Sequence, residues 1–579
     1  MVNMIQSAKE RVNEILQRAY ARAAAQGLLP AGAELSGTVE IPKDSQNGDF
    51  AANHAMAGAR ALRMAPRKIA QALADSAELE GSWFESIEVA GPGFINFRLS
   101  PRWYADLVAA IRAEGADYGR CGDGQGRRVI VEYVSANPTG PMHMGNARGG
   151  VLGDALSSVL ERAGWQVWRE FYVNDAGNQV EKFAASIDAR YQQLILGEDR
   201  VAFPEDGYHG DDIRELAAAF REAYGDAWLD KPLAERHAQM ARFGLDRNIP
   251  KMASDLRRYG VVYDEWFLES GLHESGCVDE TVEELGRRGW TYEKDGALWL
   301  ATSRLLAEKL RRQGKSEEEI EKLGLKDDVL RRANGFYTYL AADIAYHRNK
   351  LGTRGFDKAI NVWGADHHGH VARLKAAMDA LDLDGEHRLD IVLMQLVKLT
   401  RDGQVVLMSK RTGKAISLTD LLDEVPVDAA RYFFNSRPES PVEFDLELAV
   451  RQDSENPVYY VQYAHARICT LLAALAAEGH PVPETADIAL LSHETEKELM
   501  KQLAALPEEI RLAARDYDPS RVNKYVTELA ARFHRFYTAC RIKDAEPGVL
   551  EARLKLADSV RAVLALALGI IGVSAPEKM

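Results

Sequence analysis

Apolar residues recur along this chain with two distinct periods, and the changes of period mark out its elements. Ile5, Val12, Ile15 and Leu16 share one face at helical spacing, with charged residues between them, and predict an amphipathic N-terminal helix. The pattern then predicts a strand near Leu35–Ile41, a helix from about Phe50 to Leu62, a further helix starting at Pro66, and a strand within IEVAGPGFINFRLS. Together these make a small α+β unit, and the glycine-rich stretch Gly115–Gly126 is the first candidate linker.

Beyond it the period changes. RRVIVEYVSANP is an apolar run bounded by polar breakers, the mark of a strand buried on both faces of a parallel sheet. A helix follows with Leu152, Leu156, Val159 and Leu160 on its inner face, ending at Gly164. A second strand, Val167–Val173, and another helix complete a βαβ pattern. From about 197 to 326 the chain is charged, helical and loop-rich and reads as an insertion into a Rossmann-type sheet. Strand character returns in AINVWG, which opens onto ADHHGH. From Val427 onward everything reads as helix; Asn456-Pro457 is a cap with proline in the first turn, and Val458, Val461, Ile468, Leu472 and Leu475 form one stripe. The predicted architecture is α/β in three parts: an N-terminal α+β domain over 1–115, a Rossmann domain over 116–426 with a helical insertion around 197–326, and an all-helical bundle over 427–579.

Composition narrows the class. With 46% apolar and 27% charged residues over 579 positions, the chain fits a soluble globular protein with several cores. The longest apolar run, Ala562–Val573, is 12 residues, short of the ~20 a bilayer span needs, and predicts a buried C-terminal helix. The N-terminus lacks the apolar stretch of a signal peptide. Cys121, Cys277, Cys469 and Cys540 lie far apart without a CxxC pair, which points to reduced thiols in the cytoplasm. A net charge of −15 argues against a general nucleic-acid binder and leaves room only for local, specific RNA contacts.

Two short segments carry candidate chemistry. His143-Met144-Gly145-Asn146 follows the first strand of the parallel sheet and heads a helix, where backbone amides and the helix dipole attract phosphate. An imidazole there can donate to phosphate oxygens as charge builds on them. Met408-Ser409-Lys410-Arg411-Thr412-Gly413-Lys414 sets several cations on a loop able to close over a triphosphate. There is no GxxxxGK[ST] motif.

In this order, some 265 residues apart, the two segments resemble the HIGH and KMSKS signatures of class I aminoacyl-tRNA synthetases. SANPTGPMHMGNARGG, FYVNDAGNQ, DGALW, TYLAADIAYH and WGADHHGH are all similar to the arginyl-tRNA synthetase family. The likeness spans almost the whole chain. GPGFINF resembles that family's N-terminal tRNA-reading domain, and Asp428-Ala429-Ala430-Arg431 its DALR-type anticodon-binding domain. Two positions depart from the signatures: Asn146 replaces the last histidine of HIGH, and Leu407 the first lysine of KMSKS. Asparagine still donates a hydrogen bond. The second change leaves Lys410 as the principal loop cation, with Arg411 and Lys414 as possible helpers.

The resemblance implies ATP-dependent ligation of L-arginine to tRNA(Arg) through an arginyl-adenylate, with Mg2+ entering beside ATP, no structural metal, and a single-chain active unit. It implies catalytic roles for His143, Asn146 and Lys410, and ATP contacts from His143, Gly145, Asn146, Gly364, Asp366, Met408 and Lys410. Arginine-binding positions are Glu132, Asn137, Tyr339, Asp343 and His367. Carboxylates suit that substrate because a guanidinium presents five N–H donors in a planar fork. Which acid takes the guanidinium and which the α-amino group is left open. His367, His368 and His370 sit too close along one short loop to aim three imidazoles at a single ion.

For tRNA, the resemblance adds Asn96, Phe97 and the C-terminal Met579. Tyr459, Tyr463 and Arg467 at i, i+4 and i+8 suit stacking on splayed bases, or else form a second core stripe. A nucleotidyltransferase that ignores RNA would lack the two terminal units. A non-catalytic RNA-binding paralogue would be expected to lose His143 or Lys410.

Overall fold

Five parallel strands form the centre of the molecule: β1 (Arg128–Tyr133), β2 (Gln166–Val173), β3 (Glu265–Leu268), β4 (Lys358–Gly364) and β5 (Leu389–Met394), in the spatial order β5-β4-β1-β2-β3. The structure is a computed structural model and describes residues 2–406, 416–436 and 442–579. Val129, Ile130 and Val131 are fully buried, which is why β1 reads as a continuous apolar run. The helix Met144–Arg162 packs back on this strand, and Gly153 permits the approach, since a Cβ there would lie 2.1 Å from the Tyr133 ring. Chain order reverses between β1 and β4, so a crevice opens at their carboxyl ends.

The N-terminal unit is a four-stranded antiparallel sheet covered by the helices Met4–Ala25, His54–Leu62 and Pro66–Asp75. The helix expected from Phe50 starts later. Phe50–Ala52 is a strand paired with Phe97–Ile95, and helix begins only at His54. Phe50 and Ala52 face inward with Ala51 between them, a two-residue period over too short a run to stand out.

The segment read as an insertion contains two different things. Asp211–Tyr224 and Leu233–Arg258 pack on Asn178–Leu196 around a core of their own that includes Phe183, Phe220 and Phe243. Glu265–Leu268, by contrast, is the edge strand β3 of the central sheet. A small antiparallel sheet of Thr291–Lys294, Ala297–Leu300 and Asp328–Arg331 follows.

The expectation of helix throughout from Val427 is corrected at Val442–Asp445, a strand that pairs in parallel with Val397–Arg401. Burial of Phe444 holds it there. The remaining tail is a bundle of Pro457–Ala477, Glu494–Asp516, Ser520–Ala539 and Val549–Ile570, and the apolar run ending at Val573 lies within its core. Among the described residues no helix is long and apolar enough to cross a membrane. The bundle meets the rest of the chain directly: Tyr118 Oη donates to Leu503 O at 2.9 Å, and Lys501 pairs with Asp49.

Candidate active site

The turn after β1 is strained where it meets the crevice. Val134 and Ser135 have φ of 70° and 44°, in the left-handed region that a β-branched residue such as valine rarely occupies. This turn brings Ser135 Oγ back to donate to Glu132 Oε1 at 2.9 Å and to accept from Tyr172 N at 3.2 Å.

His143 then caps the helix Met144–Arg162. Its Nδ1 accepts from Gly145 N at 3.1 Å, while Asn146 Oδ1 accepts from His143 N at 3.0 Å. Asn146, which stands where the signature has histidine, thus closes a capping box. Because Nδ1 is an acceptor, the proton sits on Nε2, the atom free to donate outward. The ring reaches solvent at the crevice, yet desolvation by the protein around it lowers its pKa and favours the neutral imidazole.

Met408 and Lys410 lie outside the described residues. The chain that follows is anchored beside His143: Ser417 forms a backbone bridge with His143, and Leu418 N donates to Met142 O at 2.9 Å. On β4, Gly364 lines the crevice; for Asp366 the structure describes only the backbone, in the turn Ala365–His367.

A cleft of about 260 Å3 opens at the carboxyl ends of the strands. Glu132, Asn137, Tyr339, Asp343, Gly364 and His367 all line it, so five arginine positions and one ATP position expected from sequence meet in one place. Met394 lines it too and packs near Gly149 of the His143 helix, where a Cβ would lie 3.3 Å from Met394 Cε. His143 itself stands outside the lining, at the head of that helix. His367 and His370 flank the Trp363 ring at 5.9 and 5.8 Å.

The acids differ in their partners. Glu132, 5% exposed, accepts from Lys350 Nζ at 2.6 Å, and Lys350 is fully buried. Burial pushes the Glu132 carboxyl up, and the Lys350 charge opposes that push without cancelling it. Lys350 also donates to Asn361 Oδ1 at 3.2 Å; Asn361 Nδ2 donates to His347 Nε2 at 2.8 Å; His347 Nδ1 donates to Asp343 O at 2.8 Å. Every donor in this chain meets an acceptor only if His347 is neutral. Burial, followed by the Lys350 charge, pushes its pKa down to about 3.

Asp343 Oδ2 accepts from His370 Nε2 at 2.7 Å. Burial alone would raise the Asp343 carboxyl, but that hydrogen bond and the neighbouring histidines and lysine hold it below the usual carboxylate range. His347 closes the motif TYLAADIAYH, whereas Lys350 and Asn361 lie outside every motif, and no local pattern in the sequence ties the three to Glu132. Tyr172 and Asn174, both within FYVNDAGNQ, line the cleft as well, which the motif alone does not reveal. Glu269 lies within the stretch read as insertion and lines the same cleft.

The expected RNA contacts divide. Tyr459 and Met579 line one cavity of about 330 Å3 with Asp428 and Gln462. The Tyr459 and Tyr463 rings lie 6.2 Å apart and nearly parallel, Tyr463 is exposed, and the Arg467 guanidinium sits 4.1 Å over Tyr537. These residues flank the core stripe of Val458, Val461 and Ile468. Asn96 is buried, and Phe97 is fully buried with its ring 5.2 Å from Phe84, so the Phe97 side chain belongs to the N-terminal core.

Comparison with known proteins gives one consistent result. Family models match along the chain: "Arginyl tRNA synthetase N terminal domain" over residues 6–99, "tRNA synthetases class I (R), catalytic domain" over 108–443, and "DALR anticodon binding domain" over 461–579. The chain is 52% identical to an arginine–tRNA ligase of Caldanaerobacter subterraneus and 48% identical to one of Acetivibrio thermocellus, over the full length of each partner. A solved putative arginyl-tRNA synthetase from Campylobacter jejuni superposes with a TM-score of 0.73 at 33% identity, covering 83% of this chain and 100% of that one. The Thermus thermophilus arginyl-tRNA synthetase shares the fold, with a TM-score of 0.72 at 22% identity over 99% of this chain and 100% of that one.

Proposed function

This chain belongs to the arginyl-tRNA synthetase family and ligates arginine to tRNA at the expense of ATP, and we propose that the cleft between β1 and β4 is where both steps occur. The observation that carries this reading is the convergence of Glu132, Asn137, Tyr339 and Asp343 on one cleft at the switch point of the sheet, beside the His143 helix.

In the first step the arginine carboxylate attacks the α-phosphorus of ATP in line, forming arginyl-adenylate and releasing diphosphate. His143 donates from Nε2 to phosphate oxygens as they gain charge, and the first helical amides add positive potential. Asn146 acts through the cap by fixing the His143 backbone that carries the imidazole. Gly364 and Asp366 hold the nucleotide, with Met408 at the start of the basic loop. Mg2+ bound to ATP shares the phosphate charge, and Lys410 neutralises the departing diphosphate. The anchoring of Ser417 and Leu418 on Met142–His143 supports delivery of that loop to the same nucleotide.

In the second step a ribose hydroxyl of the tRNA 3′ end, the 2′-OH by family resemblance, attacks the activated carbonyl. Asn137, Tyr339, His367 and the acids position arginine throughout. The exposed Tyr463, with Tyr459, Arg467 and Met579, forms the anticodon-reading surface, and the N-terminal unit meets the tRNA around Asn96 and the Phe97 backbone. The working unit is a single chain in the cytoplasm, divided into functional parts at about residues 115 and 426.

Arginine-dependent ATP–pyrophosphate exchange, run with and without tRNA(Arg), tests the reading. Exchange driven by arginine is the expected result. Exchange that ignores arginine, or charging with another amino acid, would overturn it.

A further inference from the structure

One helix belongs to two cores. In the helix Leu233–Arg258, Met240 and Phe243 pack in the separate core of the insertion. Met252 and Leu256, further along it, pack in the large core that contains Val129 and Val131 of β1. Leu256 reaches the His143 helix at Gly150, where a Cβ would lie 3.8 Å from Leu256 Cδ2 and 3.6 Å from Val134 Cγ2. Between the two halves stand Asn248 and Pro250, and the proline withholds the N–H that would bond Asp246 O.

At this junction Asn248 Nδ2 donates to Pro138 O at 2.8 Å. Pro138 lies in the loop that leaves β1, turns through the strained Val134 and Ser135, and ends at the His143 cap. Among the described residues, this is the one hydrogen bond made by residues 136–141. Pro138 is buried, whereas Asn137 beside it lines the cleft. The pair is stiff, because the proline ring fixes its own φ and confines the preceding residue to extended backbone. Fixing the Pro138 carbonyl therefore fixes the backbone from which the Asn137 amide reaches the cleft.

Taking the cleft as the arginine site, we propose that Asn248 is a positioning residue through which the insertion holds Asn137 in place from outside the cleft. Asn248 is not among the residues that line the cleft, so it acts only through the Asn137-Pro138 pair. Small displacements of such a group weaken a site that depends on fixed geometry. Because its helix is seated in both cores, this contact ties the insertion to the arginine loop.

The test uses the full-length chain in steady-state charging of tRNA(Arg), with arginine and ATP varied in turn. N248L keeps the bulk and the helix but removes the donor, and N248Q keeps a donor on a longer arm. N248L should raise KM for arginine about fivefold, the order of one neutral hydrogen bond, with N248Q closer to wild type. KM for ATP and the melting temperature should stay near wild type, because both cores keep their apolar contacts. An arginine KM within about twofold of wild type, or an equal rise in the ATP KM, would overturn the proposal. Should N248L fail to fold, N248A carries the same test under the same limits. The N137A background separates the proposal from the reading beneath it. There N248L should change the arginine KM by less than about twofold, since the amide it positions is gone. A full effect of N248L in that background would overturn the proposal and leave the cleft reading intact. An N137A chain with a wild-type arginine KM would sink the cleft reading itself, and the proposal with it.

Discussion

At Gly145 an added methyl would lie 2.9 Å from His143 Cε1 and 3.1 Å from Nδ1, so the imidazole can fold back on its own helix only because that position has no side chain. Alanine otherwise favours helix over glycine by about 1 kcal/mol. Gly145→Ala should therefore leave the melting temperature level or slightly higher while slowing arginine-dependent exchange about tenfold, or about 1.4 kcal/mol of barrier. Exchange and melting measured on one sample separate the two effects, and an unchanged rate would show that the ring's placement does not matter. Lys350 sets the opposite kind of test. Lys350→Met strands Glu132 as a buried, unpaired acid, a change of the kind that costs about 3–5 kcal/mol. The double variant with Glu132→Gln removes the stranded charge and should recover a large part of that loss in denaturant unfolding. Equal stability of the single and double variants would mean that the pair is not coupled.

His347 ties one element to another: its ring joins the backbone of helix Tyr339–Arg348 at Asp343 to Asn361 on β4. Both ring nitrogens are used, so a second proton would break the link to Asn361. The unfolded chain takes up that proton near the ordinary histidine value of 6.5, the folded chain only near 3. Stability present above 6.5 is thus lost as pH falls through this window, by up to about 1.4 kcal/mol per pH unit. Urea unfolding at pH 7 and pH 5 should show a difference that His347→Gln reduces by about 2 kcal/mol. If the two proteins respond equally to pH, His347 is not the group that titrates. These same elements mark what was legible in the sequence. The apolar run of β1 and the helix after it are written in a strong local period, because both faces of that strand are buried. Glu132 was legible at the end of the β1 run, Asn137 in the motif loop that leads from it to His143, and Tyr339 and Asp343 in the motif that opens a helix. Strand β3 was hidden, since Glu265–Leu268 is four residues long and only partly buried. Glu269 was hidden with it. Lys350 and Asn361 are polar residues satisfied by partners remote in sequence, and no local period records that.

Arg431, from the tail motif Asp428-Ala429-Ala430-Arg431, holds three parts of the molecule at one buried point. Its guanidinium pairs with Asp154 of the His143 helix and donates to Tyr259 O, Gly260 O and Ile571 O, each at 3.2 Å. Those carbonyls end the helix Leu233–Arg258 and the last helix of the bundle, so the bundle's terminus and the nucleotide-side helix share one side chain. The fit is close. Gly572 has φ of 65°, and a Cβ there would lie 2.1 Å from Arg431 Nη2. Only a planar fork reaches all four acceptors, so lysine cannot replace it. Arg431→Met and Arg431→Lys should each destabilise the chain by about 3–5 kcal/mol, because Asp154 and the carbonyls lose a buried partner. They should also uncouple the parts, so that calorimetry splits one unfolding transition into two and charging falls chiefly through kcat/KM for tRNA. The Gly145→Ala variant, which perturbs the site from within, should keep a single transition and a normal tRNA KM. If Arg431→Lys melted as wild type does and charged tRNA normally, the contact would be packing alone, and the bundle would be joined to the nucleotide-side helix by their direct packing instead.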